Sequence, residues 1–159
     1  LAVMLAAEFP NLKQLILLAP AFYPPAIINF TPILTPLFQF LGIQSLRNIG
    51  GWIVKEKAYE ITYDKVYVNC PRELYRACLQ ARHLLRILKL PIIFIAATHD
   101  PVIKPKGIKR AYASIPSNQK ELIWLENSAH VISCDNDQDK IIAIIRQQLP
   151  TKKIDLESN

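Results

Sequence analysis

An unbroken apolar run, residues 92–97, follows Pro91 and stops at His99-Asp100-Pro101. A short continuous apolar run between turn residues marks a strand buried on both faces. Residues 15–19 form a second such run, ended by Pro20, and residues 121–126 (ELIWLE) a third. Between these runs the apolar spacing changes to a helical period. In NCPRELYRACLQARHLLRILKL, residues Leu74, Cys78, Ala81, Leu85 and Leu88 fall on one stripe, and Pro71 suits a first turn. Pro105 opens a further helix with Ile108, Ala111, Tyr112 and Ile115 inward. The spacing predicts a last helix over 136–149, with Ile141, Ile145 and Leu149 inward and Pro150 as its stop. At the start, Leu1, Met4 and Leu5 make an i, i+3, i+4 stripe. The resulting order is helix, strand, irregular insert, helix, strand, helix, strand, helix. It predicts an α/β fold: a parallel sheet flanked by helices.

The insert breaks the pattern. Residues 14–46 carry no charged side chain, which resembles a membrane span, but Pro20, Pro24, Pro25, Pro32 and Pro36 punctuate them. Repeated prolines forfeit hydrogen bonds that lipid cannot replace, and they also break sheet ladders. The expectation is a soluble protein with an unusually apolar surface segment. Gly50-Gly51 marks a break, and KEKAYEITYDKVY reads as exposed. The tail from 151 to 159 is polar and expected to fray.

Composition adds bounds. The 159 residues are half hydrophobic and one-fifth charged, enough for one globular domain. Cys70, Cys78 and Cys134 fit neither a disulfide framework nor a zinc spacing, in line with a reducing, cytoplasmic setting. The net charge is +6, but the basic residues are scattered and not interleaved with aromatics. That pattern predicts no nucleic-acid role and leaves room for peripheral attraction to an anionic membrane.

Ligand chemistry in open parallel sheets sits beyond the C-terminal strand ends. Asp100 follows one predicted strand and His130 the next, and one helix joins those strands, so the two residues should be neighbours. A carboxylate that holds a histidine fixes its tautomer and stabilises the imidazolium formed when it takes a proton. The structural readings are a turn at Asp100-Pro101 and a merely exposed His130; the pairing at two strand ends outweighs both. His99 points elsewhere if the pleat continues, and His83 belongs to a helix surface. No serine stands in G-x-S-x-G. Ser128 reads as a local hydrogen-bond partner, and Cys134 shares the histidine loop without an elbow of its own. DNDQD, residues 135–139, has acids at alternate places like a calcium loop. It lacks the glycine and the closing glutamate, so acids favoured by a helix dipole explain it better.

These residues resemble a known family. LAVMLAAEFPNLKQLILLAPAF, IIFIAATHDPVIKP and WLENSAHVISCDNDQDKIIAIIRQQL together are similar to the carboxylesterase and monoacylglycerol-lipase branch of the α/β-hydrolases, of serine aminopeptidase S33 type. The family's D-x-x-[VI]-x-P is matched by Asp100, Ile103 and Pro105. Its S-[GA]-H-[VI] is matched by Ser128, Ala129, His130 and Val131. The resemblance implies the C-terminal part of such a sheet, with residues 1–22 and 80–150 as core. It makes 23–79 a mostly helical cap inserted between strands. It also implies catalytic roles for Asp100 and His130, with the serine in an elbow just before Leu1, and neither cofactor nor metal.

An apolar cap over strand ends would hold an acyl chain, with Phe22, Ile33, Leu37, Phe38, Val102 and Val131 as pocket candidates. The implied substrate is a small ester or lipid, short-chain or monoacylglycerol-like, and the apolar cap would allow peripheral membrane contact. These 159 residues alone are expected to be inactive. Acyl transfer, peptide cleavage on the same frame, and a non-catalytic remnant remain open alternatives.

Overall fold

Pro91 and Asp100-Pro101 frame the strand on which the rest of the molecule is built. The computed structural model of the chain describes residues 1–47, 53–54 and 63–149. The Gly50-Gly51 break, residues 55–62 of the charged segment, Pro150 and the 151–159 tail lie outside the described residues. Three parallel strands, β1 (Leu15–Leu18), β4 (Ile92–Ala97) and β5 (Lys120–Leu125), form a sheet in the order β1-β4-β5. Leu15 pairs with Ile92, and Ile92 in turn with Lys120, so the three strands begin together; β4 and β5 also end together, at Ala97 and Leu125. Between β1 and β4 the chain makes a 3-10 turn (Ala26–Phe30), α2 (Thr31–Phe40), a hairpin of β2 (Ser45–Arg47) with β3 (Lys65–Tyr67), and α3 (Asn69–Leu85). Helix α1 (Ala2–Glu8) precedes the sheet, α4 (Pro105–Ala113) joins β4 to β5, and α5 (Gln138–Gln148) closes the chain.

Central β4 is buried along its whole length. Its pleat divides the core. Ile92, Phe94 and Ala96 face one side, with Leu15, Leu17, Leu85, Ile108 and Ala111. Ile93, Ile95 and Ala97 face the other, with Leu125, Ile132 and Ile141. Among the described residues Phe94 is the largest fully enclosed side chain, with Phe22 at 5.8 Å and Tyr112 edge-on at 6.0 Å between ring centroids. Burial of such a ring contributes about 1.5–3 kcal/mol.

The outer strands differ from the expectation of burial on both faces. Both are edge strands in this sheet: Leu15 and Leu17 are buried while Leu18 is exposed, and β5 is largely half-buried. The N-terminal stripe also differs. Helix α1 buries Val3 and Ala6, and leaves Leu1 and Leu5 exposed. The helix lies against α3, and close helix approach favours a small residue such as Ala6 over leucine. On α3 the inner face begins at Cys78; Leu74 is exposed, while Leu88 is buried beyond the helix end. Leu149 falls past the end of α5 and is exposed, so Ile144 and Ile145 complete the contact that Ile141 starts.

The insert is part helix and part hairpin. Pro32 occupies the first turn of α2, where its missing N–H costs nothing, and only Pro36 interrupts the ladder. Thr35 Oγ1 donates to the Val68 carbonyl at 3.0 Å, fastening α2 to the start of α3. Helix α3 runs without a break through the expected 79/80 boundary. At the root of the insert Tyr23 lies between two guanidiniums, those of Arg82 and Arg110, each 4.7 Å from its ring centre. A backbone strain marks the same exit: Ala19, just after β1, has φ +41°, while its N–H still donates to Ile95 at 2.8 Å. Left-handed backbone costs a non-glycine residue roughly 1–2 kcal/mol.

Candidate active site

The C-terminal ends of β4 and β5 carry the polar residues. Past Ala97, the Thr98 N–H donates to Leu125 at 2.9 Å, keeping the two exits side by side, and Thr98 Oγ1 donates to Glu126 at 3.0 Å. Asp100 follows, buried to 5% exposure. Its Oδ1 accepts the backbone N–H groups of Val102 at 2.7 Å and Ile103 at 2.8 Å. This is an aspartate turn leading toward α4. Its Oδ2 lies 2.8 Å from Nδ1 of His130. The turn reading and the pairing reading of Asp100 therefore both hold, one on each oxygen. His99 is exposed, and His83 is exposed on α3.

Burial pushes the Asp100 carboxyl up. The hydrogen bond from His130 outweighs this together with the Ile103 and Val102 N–H groups and the charge of the imidazolium form, and holds the carboxyl below the ordinary aspartate range. Ionised, it accepts only, so His130 Nδ1 must carry the proton it shares. In the neutral ring the basic lone pair is then on Nε2. The pair is a base whose tautomer is set by a fixed carboxylate.

The loop that presents His130 is held by acids that the sequence pattern assigned to a helix dipole. Asp137 Oδ2 accepts Asn127 N–H at 3.0 Å and Ser128 Oγ–H at 2.8 Å, and its Oδ1 accepts Asn127 Nδ2 at 3.3 Å. The Asp137 N–H returns a bond to Ser128 Oγ at 3.0 Å. Asp135 Oδ2 accepts Ala129 N–H at 2.8 Å and, from the insert, Val54 N–H at 3.0 Å. Burial pushes the Asp137 carboxyl up, but the Ser128 hydroxyl, both Asn127 donors and Lys140 together hold it low. Asp137 stands at the head of α5 without capping it through its side chain. Leaving the buried donors of Ser128 and Ala129 unpartnered would cost about 1–3 kcal/mol each. That need is the signal by which the acids could have been found: a buried loop requires acceptors, and two aspartates follow within ten residues.

The pocket candidates do not converge. Phe22 packs in the main core and lines a cleft of about 410 Å³ at the end of β1, with Leu18, Leu74 and Cys78. Phe38 lines a separate, almost wholly apolar cleft of about 290 Å³ inside the insert, with Leu34, Leu46 and Val68. Ile33 and Leu37 are exposed on α2 and line neither cleft. Val102 and Val131 flank the Asp–His pair, both half-buried. Cys78 donates to the Ala21 carbonyl at 2.8 Å, and burial pushes its thiol up, which suits a structural role. Cys134 is exposed beside Ser133. Among the described residues no cluster of three histidine, cysteine or acidic side chains could hold a metal, and no helix is long and apolar enough to cross a membrane.

The chain is similar to known proteins. A thermostable monoacylglycerol lipase from Bacillus sp. (strain H-257) is 29% identical over 97 residues, which span 61% of this chain and 39% of the lipase. A solved structure from LipS and LipT, two metagenome-derived lipolytic enzymes, superposes with a TM-score of 0.78 at 29% identity, over 91% of this chain and 60% of that one. A soluble variant of monoglyceride lipase from Saccharomyces cerevisiae shares the fold at 16% identity, with a TM-score of 0.69 over 92% of this chain and 59% of that one. The chain thus spans about two-fifths to three-fifths of the length of these relatives, and its architecture is that of part of an α/β-hydrolase. A family model matches residues 1–137, and the chain belongs to that family, Hydrolase_4, the serine aminopeptidase S33 group of hydrolases.

Proposed function

We propose that the full-length protein hydrolyses carboxylic esters, short-chain or monoacylglycerol-like, through a Ser-His-Asp triad. Asp100 and His130 are two of its members, and the serine lies outside these 159 residues. The observation that carries the reading is the 2.8 Å contact between Asp100 Oδ2 and His130 Nδ1 at the ends of neighbouring parallel strands. The relatives supply the substrate class, since two of those named above are monoacylglycerol or monoglyceride lipases.

In the reaction, His130 Nε2 takes the serine proton as the oxygen bonds to the ester carbonyl carbon. Asp100 stabilises the imidazolium. The tetrahedral intermediate collapses, the carbon–oxygen bond to the alcohol breaks, and Nε2 returns the proton to the leaving alkoxide. Water, deprotonated by the same nitrogen, then bonds to the acyl carbon; the bond to the serine oxygen breaks, Nε2 returns the proton to that oxygen, and the acid leaves.

Residues 23–79 serve as the cap over these strand ends. The bond from Val54 to Asp135, inside the histidine loop, supports that placement. The cap's exposed Ile27, Phe30, Ile33, Phe40 and Leu41 favour peripheral contact with a lipid surface. A second reading, cleavage of an N-terminal peptide bond, is favoured by the family's description.

The test is turnover by the full-length protein. Activity on p-nitrophenyl esters should exceed activity on aminoacyl p-nitroanilides, and His130→Ala should abolish both. Full ester activity in His130→Ala would sink the triad, and preference for the anilides would favour the peptidase.

A further inference from the structure

Three consecutive residues ahead of His130 hand their hydrogens to two carboxylates from the segment that follows. Asn127 and Ser128 donate to Asp137, and Ala129 donates to Asp135. Both acceptors are enclosed, Asp135 fully and Asp137 at 8% exposure, and so are the donor residues Ser128 at 1% and Ala129 at 5%. Neutral acceptors would satisfy these donors. Two buried carboxylates do more, because a charged acceptor holds its donors in shorter and roughly twice as strong bonds. Burying a charge is unfavourable unless several donors converge on it, and three reach Asp137. The Ser128–Asp137 contact is reciprocal, hydroxyl to carboxylate and N–H to hydroxyl, so it fixes both partners in rotation as well as in distance. The next residue along this clamped stretch is the imidazole.

We infer that Asp137 and Asp135 are positioning residues for His130: they clamp residues 127–129 so that Nδ1 meets Asp100 at hydrogen-bond distance. The kinetic part of this inference rests on the triad reading; the geometric part does not. A catalytic side chain must be held within about 0.5 Å of its productive place, and a 1 Å error costs about 10²-fold in rate. Neither aspartate is given a substrate contact, so loosening the clamp should lower kcat and leave KM unchanged. Asp137→Asn keeps one carbonyl oxygen but places an amide where the second donor arrives, so it should fall between wild type and Asp137→Ala. Ser128→Ala removes the reciprocal bond alone. Its effect should overlap with that of Asp137→Ala in the double variant, because both remove the same contact.

The experiment uses the full-length protein and two readouts. One is the Nδ1 proton of His130 by NMR, which reports its bond to Asp100 without any turnover. The other is kcat and KM on a p-nitrophenyl ester. In Asp137→Asn and Ser128→Ala the Nδ1 signal should broaden or move, and kcat should fall roughly 10- to 100-fold at constant KM. Ser128→Ala serves as the milder lesion should Asp137→Ala fail to fold. Folded variants that keep the wild-type Nδ1 signal overturn the inference, whether or not their melting temperature falls. A wild-type protein without ester turnover overturns the triad reading instead, and the NMR comparison still decides the clamp.

Discussion

Replacing Asp100 by Asn changes one atom, and the surrounding bonds fix what that atom does. Oδ1 receives two backbone N–H groups at 2.7 and 2.8 Å, and Oδ2 receives His130 Nδ1 at 2.8 Å. The amide has one oxygen and one NH₂. Turning NH₂ toward Val102 and Ile103 would set donors against two donors, so the oxygen keeps the turn and NH₂ faces His130. The ring must then accept at Nδ1 and carry its proton on Nε2, the nitrogen that takes the serine proton in the proposed triad. The fold is retained and the base is switched off. A tautomer error of this kind costs about 10⁴-fold in kcat, about 5.4 kcal/mol of barrier. Stability should fall by only about 1–2 kcal/mol, the difference between a charged and a neutral acceptor. Stopped assays on a p-nitrophenyl ester with the full-length protein, paired with a thermal melt, separate the two quantities. An Asn variant within tenfold of the parent kcat would refute the reasoning, because the geometry leaves no other route to a basic Nε2.

Acid should destabilise the protein through the same carboxylates. Asp100 and Asp137 are held below the ordinary value of about 3.9, so their stabilisation is complete above that value and is lost as the pH falls through their lower folded values. The melting temperature should drop below about pH 4, with a shallower acid limb in Asp137→Asn; identical limbs would contradict the assignment. Gly107→Ala on α4 should lower the melting temperature despite alanine's better helix propensity. A Cβ there would stand 3.0 Å from Tyr23 Cβ, and the Tyr23 ring is held between Arg82 and Arg110. Overpacking costs about 1–3 kcal/mol against a propensity gain of about 1. An unchanged or raised melt would show that the insert yields at its root.

Strand β4 was legible because a run bounded by Pro91 and Asp100-Pro101 has few other readings. The Asp100–His130 contact followed from it by topology alone: acid and base sit after consecutive parallel strands. Helix α2 was not legible. It is apolar nearly all round, so it has no period, and its prolines read as breakers although Pro32 occupies a tolerated first-turn place. The hairpin of β2 and β3 has three residues per strand, too short for an alternation to register. The face of α1 was misread because the larger residues do not win where close approach decides. The clamp was missed for a different reason. An aspartate at a helix start looks the same in sequence whether it caps its own helix or turns back to hold a loop, and only the fold reveals which.

The tie between insert and histidine loop runs through the amide hydrogen of Val54, donated to Asp135. A main-chain donor carries no information about its side chain. At this position nineteen of the twenty amino acids can make the same bond, and only proline cannot. The histidine loop can therefore stay aligned while the insert's sequence drifts; in the proposed triad, that leaves lineages free to reshape the cap without retuning the base. Relatives that keep the aspartates of the loop and differ widely in the insert would be the evolutionary trace of that contact.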